Sequence, residues 1–284
     1  MEETSLHRLH WEQLREYAVY LKENEKSENT VQKYMRDIQN FFRFLPENKT
    51  VSKLLLIAWK EKLTADYAAS SINSMLVAVN RLLVWLGWNE CRVKLIKCQR
   101  KAFCDENKEL SRAEYVRLIQ AAKDEGNERL SLVIETICST GIRVSELRYI
   151  TAEALQCGKA EIDCKGKRRT VFLPKNLCRV LQRYAKTQKI KSGILFRTKN
   201  GNALDRSNIW HDMKALCKAA GVEESKVFPH NLRHLFARTF YGLDKDIAKL
   251  ADILGHSSID TTRIYIVSTG AEHERQVARL GLVL

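Results

Sequence analysis

The clearest periodic signal in the chain begins at Val31. Val31, Tyr34, Met35, Ile38, Phe41, Phe42 and Leu45 recur at three- and four-residue intervals, and Pro46 closes the run. That spacing puts the apolar side chains on one face of a helix. The stretch SSINSMLVAVNRLLVWLG at 70–87 behaves alike, with Ile72, Met75, Leu76, Val79, Leu82, Leu83 and Leu86 on one side. Weaker patterns predict helices over 9–24 and near 51–63. The first hundred residues therefore read as a helical domain. Its remaining faces carry Ser, Asn, Lys and Arg, which suit contact with phosphate and suit a solvated face equally well.

The period disappears in CQRKAFCDENKEL at 98–110, which reads as a linker. Beyond it, SRAE at 111–114 has the form of a capping box, with Ser111 and Glu114 each satisfying a backbone N–H of the other. Helices are predicted to about Lys123 and over 127–139. AEIDCKGKRRTVFLP then alternates as a hairpin turning at Gly166 and ending at Pro174. Further helices are predicted near 174–188, 205–220, 230–242, 246–254 and 258–266. The expected layout is a helical domain over 1–97, a linker over 98–110, and a mostly helical domain with a small sheet over 111–284. The fold class is mainly α.

Composition narrows the partners. The 48 Lys and Arg outnumber 34 Asp and Glu, a net charge of +14. Residues 1–97 hold 15 basic and 12 acidic groups, so the excess is concentrated in 98–284, with 33 and 22. An imbalance of this size fits a polyanion, most simply nucleic acid. The basic residues are not gathered on one amphipathic helix, which argues against a membrane surface. No apolar run reaches the roughly 20 residues of a membrane span, and the acidic, amphipathic start does not resemble a signal peptide. A cytoplasmic location is expected. The eight cysteines show no CxxC spacing. They are expected to be small buried or half-buried thiols, neither a zinc module nor a disulfide frame.

Five places carry candidate chemistry, each with a plainer reading. Arg143 in TGIRVSEL follows a helix-breaking Gly141 and would sit at a helix start, where free N–H groups help hold an anion. The plainer reading is a surface arginine paired with Glu146. Lys165 in CKGKRRT lies at the hairpin turn with Lys167 beside it, as a presented cation or as solubilising charge. His230 and Arg233 in PHNLRHLF fall on one helix face just after Pro229. His230 and His234 are also spaced as a zinc pair, but Asn231 occupies the position where the metalloprotease motif needs Glu. His256 in LGHSS stands at a helix junction, and Tyr265 lies in the helix after it. Taken together, two arginines, two histidines, a lysine and a tyrosine are what metal-free phosphoryl transfer needs.

TGIRVSEL, HNLRHLFA and LGHSSIDTTRIY, in that order, resemble the motifs of the tyrosine recombinase (phage integrase) family, in a two-domain Xer-like or Cre-like layout. The resemblance covers essentially the whole chain and is most specific over 138–266. It implies a clamp of two domains around duplex DNA and no cofactor or metal. It also implies a site-specific recombinase that cuts and rejoins DNA through a 3′-phosphotyrosine bond and a Holliday junction. By that resemblance Tyr265 is the nucleophile and Arg143 and Arg233 hold the scissile phosphate. His256 hydrogen-bonds the phosphate, His230 moves a proton, and Lys165 protonates the leaving 5′-oxygen. The hairpin is one residue shorter than a common GKGxKxR form, and Cys164 stands where a glycine often precedes the lysine, so Lys167 is a second candidate. Partners would be DNA with inverted-repeat half-sites and further copies of the chain, as a tetramer on two sites. The apolar end, with Val277, Leu280, Leu282, Val283 and Leu284, would dock on a neighbouring protomer or fold back on its own domain. A DNA-binding protein without catalysis and a type IB topoisomerase-like relaxing enzyme are the competing readings.

Overall fold

The computed structural model describes residues 7–98, 108–164, 167–198, 200–266, 274–275 and 277–280. The contacts divide the chain into two units, Met1–Arg100 and Lys101–Leu284.

The first unit is built on four helices: α1 (Trp11–Glu23), α2 (Glu28–Phe44), α3 (Lys53–Asp66) and α4 (Ala69–Trp85). α2 turns Val31, Ile38 and Phe41 inward and α4 turns in Ile72, Leu76, Val79, Leu82 and Leu83, as their spacing required. Phe41 meets Trp59 of α3 with ring centroids 5.0 Å apart. Two short strands, β1 (His7–Arg8) and β2 (Thr50–Val51), pair antiparallel at one end. No sequence period marked them, because two residues are too few to alternate.

The polar face of α4 is not all open to a partner. Asn73 and Asn80 lie two turns apart. Each amide brackets one residue of the extended segment that follows: Asn80 with the N–H and C=O of Val93, Asn73 with those of Ile96, at 2.8 to 3.2 Å. A side-chain amide carries the same donor and acceptor as a peptide. These two asparagines therefore act as strand partners for a chain that has none.

The second unit opens with α5 (Arg112–Asp124), whose capping box is formed: Ser111 Oγ accepts from Glu114 N at 3.2 Å and Glu114 Oε2 accepts from Ser111 N at 2.8 Å. α6 (Glu128–Thr140) is buried on most sides, Leu130, Leu132, Val133, Ile134 and Ile137 together with Ser131, Thr136 and Thr140, and forms the centre of the core. A 3₁₀ turn (Val144–Tyr149), α7 (Ala152–Cys157), β3 (Lys159–Cys164) and β4 (Lys167–Phe172) follow. α8 (Lys175–Thr187), α9 (Arg206–Ala220), α10 (Pro229–Asp244), α11 (Ile247–Leu254) and α12 (Ile259–Arg263) complete the unit. The hairpin register, Lys159 opposite Phe172 and Cys164 opposite Lys167, places the turn where the sequence does. Lys165 and Gly166 themselves lie outside the described residues.

Some expectations change. α7 carried no periodic signal at its length of 6 residues. The helix predicted over 258–266 stops at Arg263, so Tyr265 lies after it. Tyr265 N and Ile266 N bond to Thr262 O and Arg263 O, three residues back, which tightens the chain out of the α-helix. Cys98 and Cys157 are exposed thiols where burial was expected, and the described cysteines Cys91, Cys138, Cys178 and Cys217 are buried or half-buried. Among the described residues no helix is long and apolar enough to cross a membrane. Of the C-terminal segment, Val277 and Leu280 are exposed, while Leu282, Val283 and Leu284 lie outside the described residues.

Candidate active site

Four segments distant in sequence meet at the N-terminal half of α10. The first is the turn after α6. Gly141 ends that helix in the left-handed region, at φ +66°, and its carbonyl accepts from Arg233 Nη1. Arg143 follows as the residue preceding the 3₁₀ turn. Its backbone N–H donates to Glu146 Oε2 at 2.7 Å and its Nη1 to Glu146 Oε1 at 3.0 Å. The pairing with Glu146 is therefore present, and it fixes the guanidinium at the rim of a cleft.

The second segment is β4. Arg169 makes a two-pronged pair with the same carboxylate, Nη2 to Oε2 at 2.8 Å and Nη1 to Oε1 at 3.2 Å. Glu146 is 1% exposed. Two guanidinium groups thus share one buried carboxylate, and the trio keeps a net positive charge.

The third segment is α10 itself. Arg233 is 1% exposed, an extreme position for a charged side chain. Besides Gly141 O it donates through Nη2 to Leu254 O at 2.6 Å, and Nη2 lies 3.0 Å from His256 Nε2. No carboxylate pairs with it among the described residues, and its Nε is buried without a partner. Burial, then Arg143, lower its pKa to about 10, so it stays a cation at neutral pH. A desolvated guanidinium held by neutral carbonyls keeps a positive charge that an anion could offset.

The fourth segment is the junction of α11 and α12. Gly255, at φ +63°, lets the chain turn, and His256 follows. The other ring nitrogen, Nδ1, lies 2.9 Å from Thr262 Oγ1, itself fully buried. Burial first, then Arg233, Arg143 and Arg169, lower the His256 pKa to about 4. His230 is lowered to about 4 as well, by burial of its ring and then by His234 and Arg233, although the residue as a whole keeps an exposed edge. Both imidazoles are neutral at pH 7.

Tyr265, 6% exposed, sits against this cluster. Its ring centroid is 5.2 Å from that of His230, 4.3 Å from that of His234 and 5.0 Å from that of His256. The Arg233 guanidinium lies 5.9 Å from the ring centre. A cleft of about 790 Å³ is lined by Arg143, Arg169, Gly255, His256 and Thr261 among others; Tyr265, Arg233 and His230 are not part of its lining.

Arg143, His230, Arg233, His256 and Tyr265 are therefore neighbours in one unit. Lys165 lies outside the described residues, and Lys167 opens β4. Sequence reasoning missed Arg169, Thr262 and the role of Glu146 as a shared acceptor. Arg169 was within reach: alternation back from the buried Val171 puts it on the inward face of the strand. Asn231 is structural, donating to Lys108 O at 2.7 Å and Lys226 O at 2.8 Å.

The sequence and the fold match known proteins. Residues 108–272 match the phage integrase family, and residues 14–90 match the phage integrase N-terminal SAM-like domain. The chain belongs to the phage integrase, or tyrosine recombinase, family. It is 30% identical over 281 residues to the tyrosine recombinase XerA of Pyrococcus furiosus, covering 96% of this chain and 95% of that protein. It is 27% identical over 258 residues to the tyrosine recombinase XerD of Vibrio cholerae, covering 84% of this chain and 85% of that protein. Among solved structures, a lambda integrase (75–356) dimer bound to a COC′ core site shares the fold with a TM-score of 0.75 at 18% identity, over 93% of this chain and 97% of that one. A lambda integrase tetramer bound to a Holliday junction gives 0.71 at 18% identity, over 93% of this chain and 78% of that one.

Proposed function

We propose that the chain is a site-specific recombinase that cuts and rejoins duplex DNA through a 3′-phosphotyrosine intermediate. The observation that carries this reading is the packing of Tyr265 against Arg233, His230 and His256 of its own chain. A lone tyrosine is usually a core aromatic. Packing against a guanidinium without a carboxylate and two neutral imidazoles supports a role in attack on a bound phosphate.

The scissile phosphodiester enters the cleft, with its non-bridging oxygens against Arg143 and Arg233. The guanidinium groups neutralise the charge that grows on those oxygens as the phosphorus becomes five-coordinate. The Tyr265 oxygen attacks phosphorus and its proton passes to neutral His230. The bond from phosphorus to the 5′-oxygen breaks, and that oxygen takes a proton from the hairpin lysine, Lys165, with Lys167 the alternative. His256 exchanges its contact with Arg233 for one with the phosphate. The phosphotyrosine ester keeps the bond energy, so ligation by a new 5′-hydroxyl reverses the same steps with no further energy source. The packing of Tyr265 on its own chain's arginine supports attack in cis.

The partners would be duplex DNA with inverted half-sites and further copies of the chain, as a tetramer on two sites, by analogy with the DNA-bound relatives. The exposed Val277 and Leu280 suit docking on a neighbour. The helical 1–97 domain would close on DNA from one side and the 111–284 domain from the other, joined by the 98–110 linker. Resolution, inversion, excision and integration all use this chemistry.

The test is a set of nicked duplexes cut from the DNA flanking the gene. Wild type should form a covalent adduct that survives denaturing electrophoresis, and Tyr265→Phe should form none. An adduct persisting in that variant overturns the nucleophile assignment. Relaxation of any plasmid without recombinant product would point to a topoisomerase, and binding without an adduct to a silent DNA-binding protein.

A further inference from the structure

The nearest imidazole to Tyr265 is neither of those assigned to the phosphate. It is His234, one turn beyond His230 on α10, with ring centroids 4.3 Å apart and planes 39° apart. We propose that His234, oriented by Glu109, is a positioning residue that holds the Tyr265 ring against the phosphate-binding arginine. This rests on the reading of Tyr265 as the nucleophile.

Three observations converge on the pair. His234 Nδ1 lies 3.3 Å from Glu109 Oε1, an ion-pair contact without the alignment of a hydrogen bond, and both side chains are nearly buried. Arg238, one further turn along α10, brings Nη1 to 3.2 Å from the other oxygen of the same carboxylate. Glu109 is therefore gripped from two rungs of one helix. Its backbone is also fixed: Lys108 O accepts from the buried Asn231, and Leu110 is 1% exposed in the core. Burial works to raise the Glu109 pKa, but the hydrogen bonds and charges of His234 and Arg238 outweigh it and hold the carboxyl below its usual value. It is ionised at neutral pH.

An ionised carboxylate this close favours the tautomer with its proton on Nδ1 and so restrains the ring, as such partners do for histidines at metal and catalytic sites. His234 needs this more than its neighbours. His256 is tethered by Arg233 and Thr262, whereas the ring of His234 leans on Glu109. Tyr265 needs it too, because it lies beyond the last turn of α12 and is steered by two i→i−3 bonds. A tilted ring packed at 4.3 Å removes much of the χ1 and χ2 freedom that an exposed tyrosine would have. The His234 nitrogen faces Glu109, so its contribution to Tyr265 is orientation.

Two experiments separate this proposal from the function it rests on. In the DNA-free protein, 3-fluorotyrosine placed at 265 reports ring packing by ¹⁹F NMR. The intact pair should give one resonance displaced from that of the free amino acid, and His234→Gln should move it back toward the free position. An unchanged resonance in that variant overturns the proposal, whatever the protein does to DNA. On the nicked duplexes, His234→Gln and Glu109→Ala should slow adduct formation about tenfold with duplex affinity unchanged, the mark of misplacement over lost binding. Glu109→Gln keeps an oxygen acceptor and should recover the rate to within about twofold. Equal losses in Glu109→Gln and Glu109→Ala, or a parallel loss of affinity, overturn it. Absence of an adduct with wild type would fail the recombinase reading and leave the fluorine measurement to decide this one.

Discussion

His256 Nε2 lies 3.0 Å from Arg233 Nη2. A guanidinium can only donate, so this nitrogen accepts and carries no proton. The proton therefore sits on Nδ1, which donates to Thr262 Oγ1 at 2.9 Å. The ligand-free site stores His256 as a neutral acceptor spanning α10 and α12. A phosphate on Arg233 would replace that acceptor with an anion and turn His256 from acceptor to donor.

This has a sign in pH. His256 and His230 each have a folded pKa of about 4, below the usual 6.5. Above pH 6.5 both states are unprotonated and the difference has no effect. As pH falls from 6.5 toward 4 the unfolded chain binds protons first, so stability declines across that window. Urea unfolding followed from pH 7.5 to 5 should show this decline, and His256→Gln should reduce its slope. Sulfate, an anion that favours imidazolium, should shift the decline to lower pH.

Glu146 balances Arg143 and Arg169 while 1% exposed. Glu146→Gln leaves two guanidinium groups facing each other beside Arg233. Breaking a buried pair from one side costs about 3 kcal/mol. Thermal melting should show that loss at low salt. Sulfate should restore more stability to the variant than to wild type, since an anion supplies the missing charge.

The two glycines that frame Arg233 should fail differently. A Cβ at Gly141 would stand 2.4 Å from the Phe236 ring and 3.1 Å from Leu254, at a φ of +66°. Gly141→Ala should cost about 3 kcal/mol, from strain and overpacking combined. At Gly255 the Cβ would meet the end of Arg169 at 2.4 Å, a flexible side chain. Gly255→Ala should cost about half as much, yet lose adduct formation by displacing Arg169 from Glu146. Melting curves and single-turnover adduct rates on the same two proteins separate these outcomes.

Arg233→Lys keeps the charge and should still fail. One ammonium cannot reach Gly141 O, Leu254 O and His256 together, because the guanidinium spans them with a rigid fork. The expected result is a loss of at least about a hundredfold in adduct rate, with His256 titrating closer to 6.5 by NMR as the Nη2 donor that keeps its Nε2 unprotonated is lost.

The sequence by itself determined the longer helices, because burial of one face forces a three-and-four spacing that can be counted. It also determined the hairpin, through its alternation, and it brought forward Arg143, His230, Arg233 and His256 as candidates, each near a glycine or a helix start. The competing reading of Arg143 as a partner of Glu146 was legible as well, three residues apart. What it could not determine were relationships between residues far apart in the chain. That Glu146 serves Arg169 as well as Arg143 depends on where β4 packs. That Asn73 and Asn80 hold the extended chain at 93–96 depends on which way that chain runs. Tyr265 is the sharpest case: periodicity continued the helix through it, but the buried Thr262 and the tightened backbone ended the helix at Arg263. Hydrophobic spacing records only which side of an element faces the core. Which side chains then meet, and which guanidinium is left without a carboxylate, is fixed by close packing between elements, and only the tertiary structure decided it.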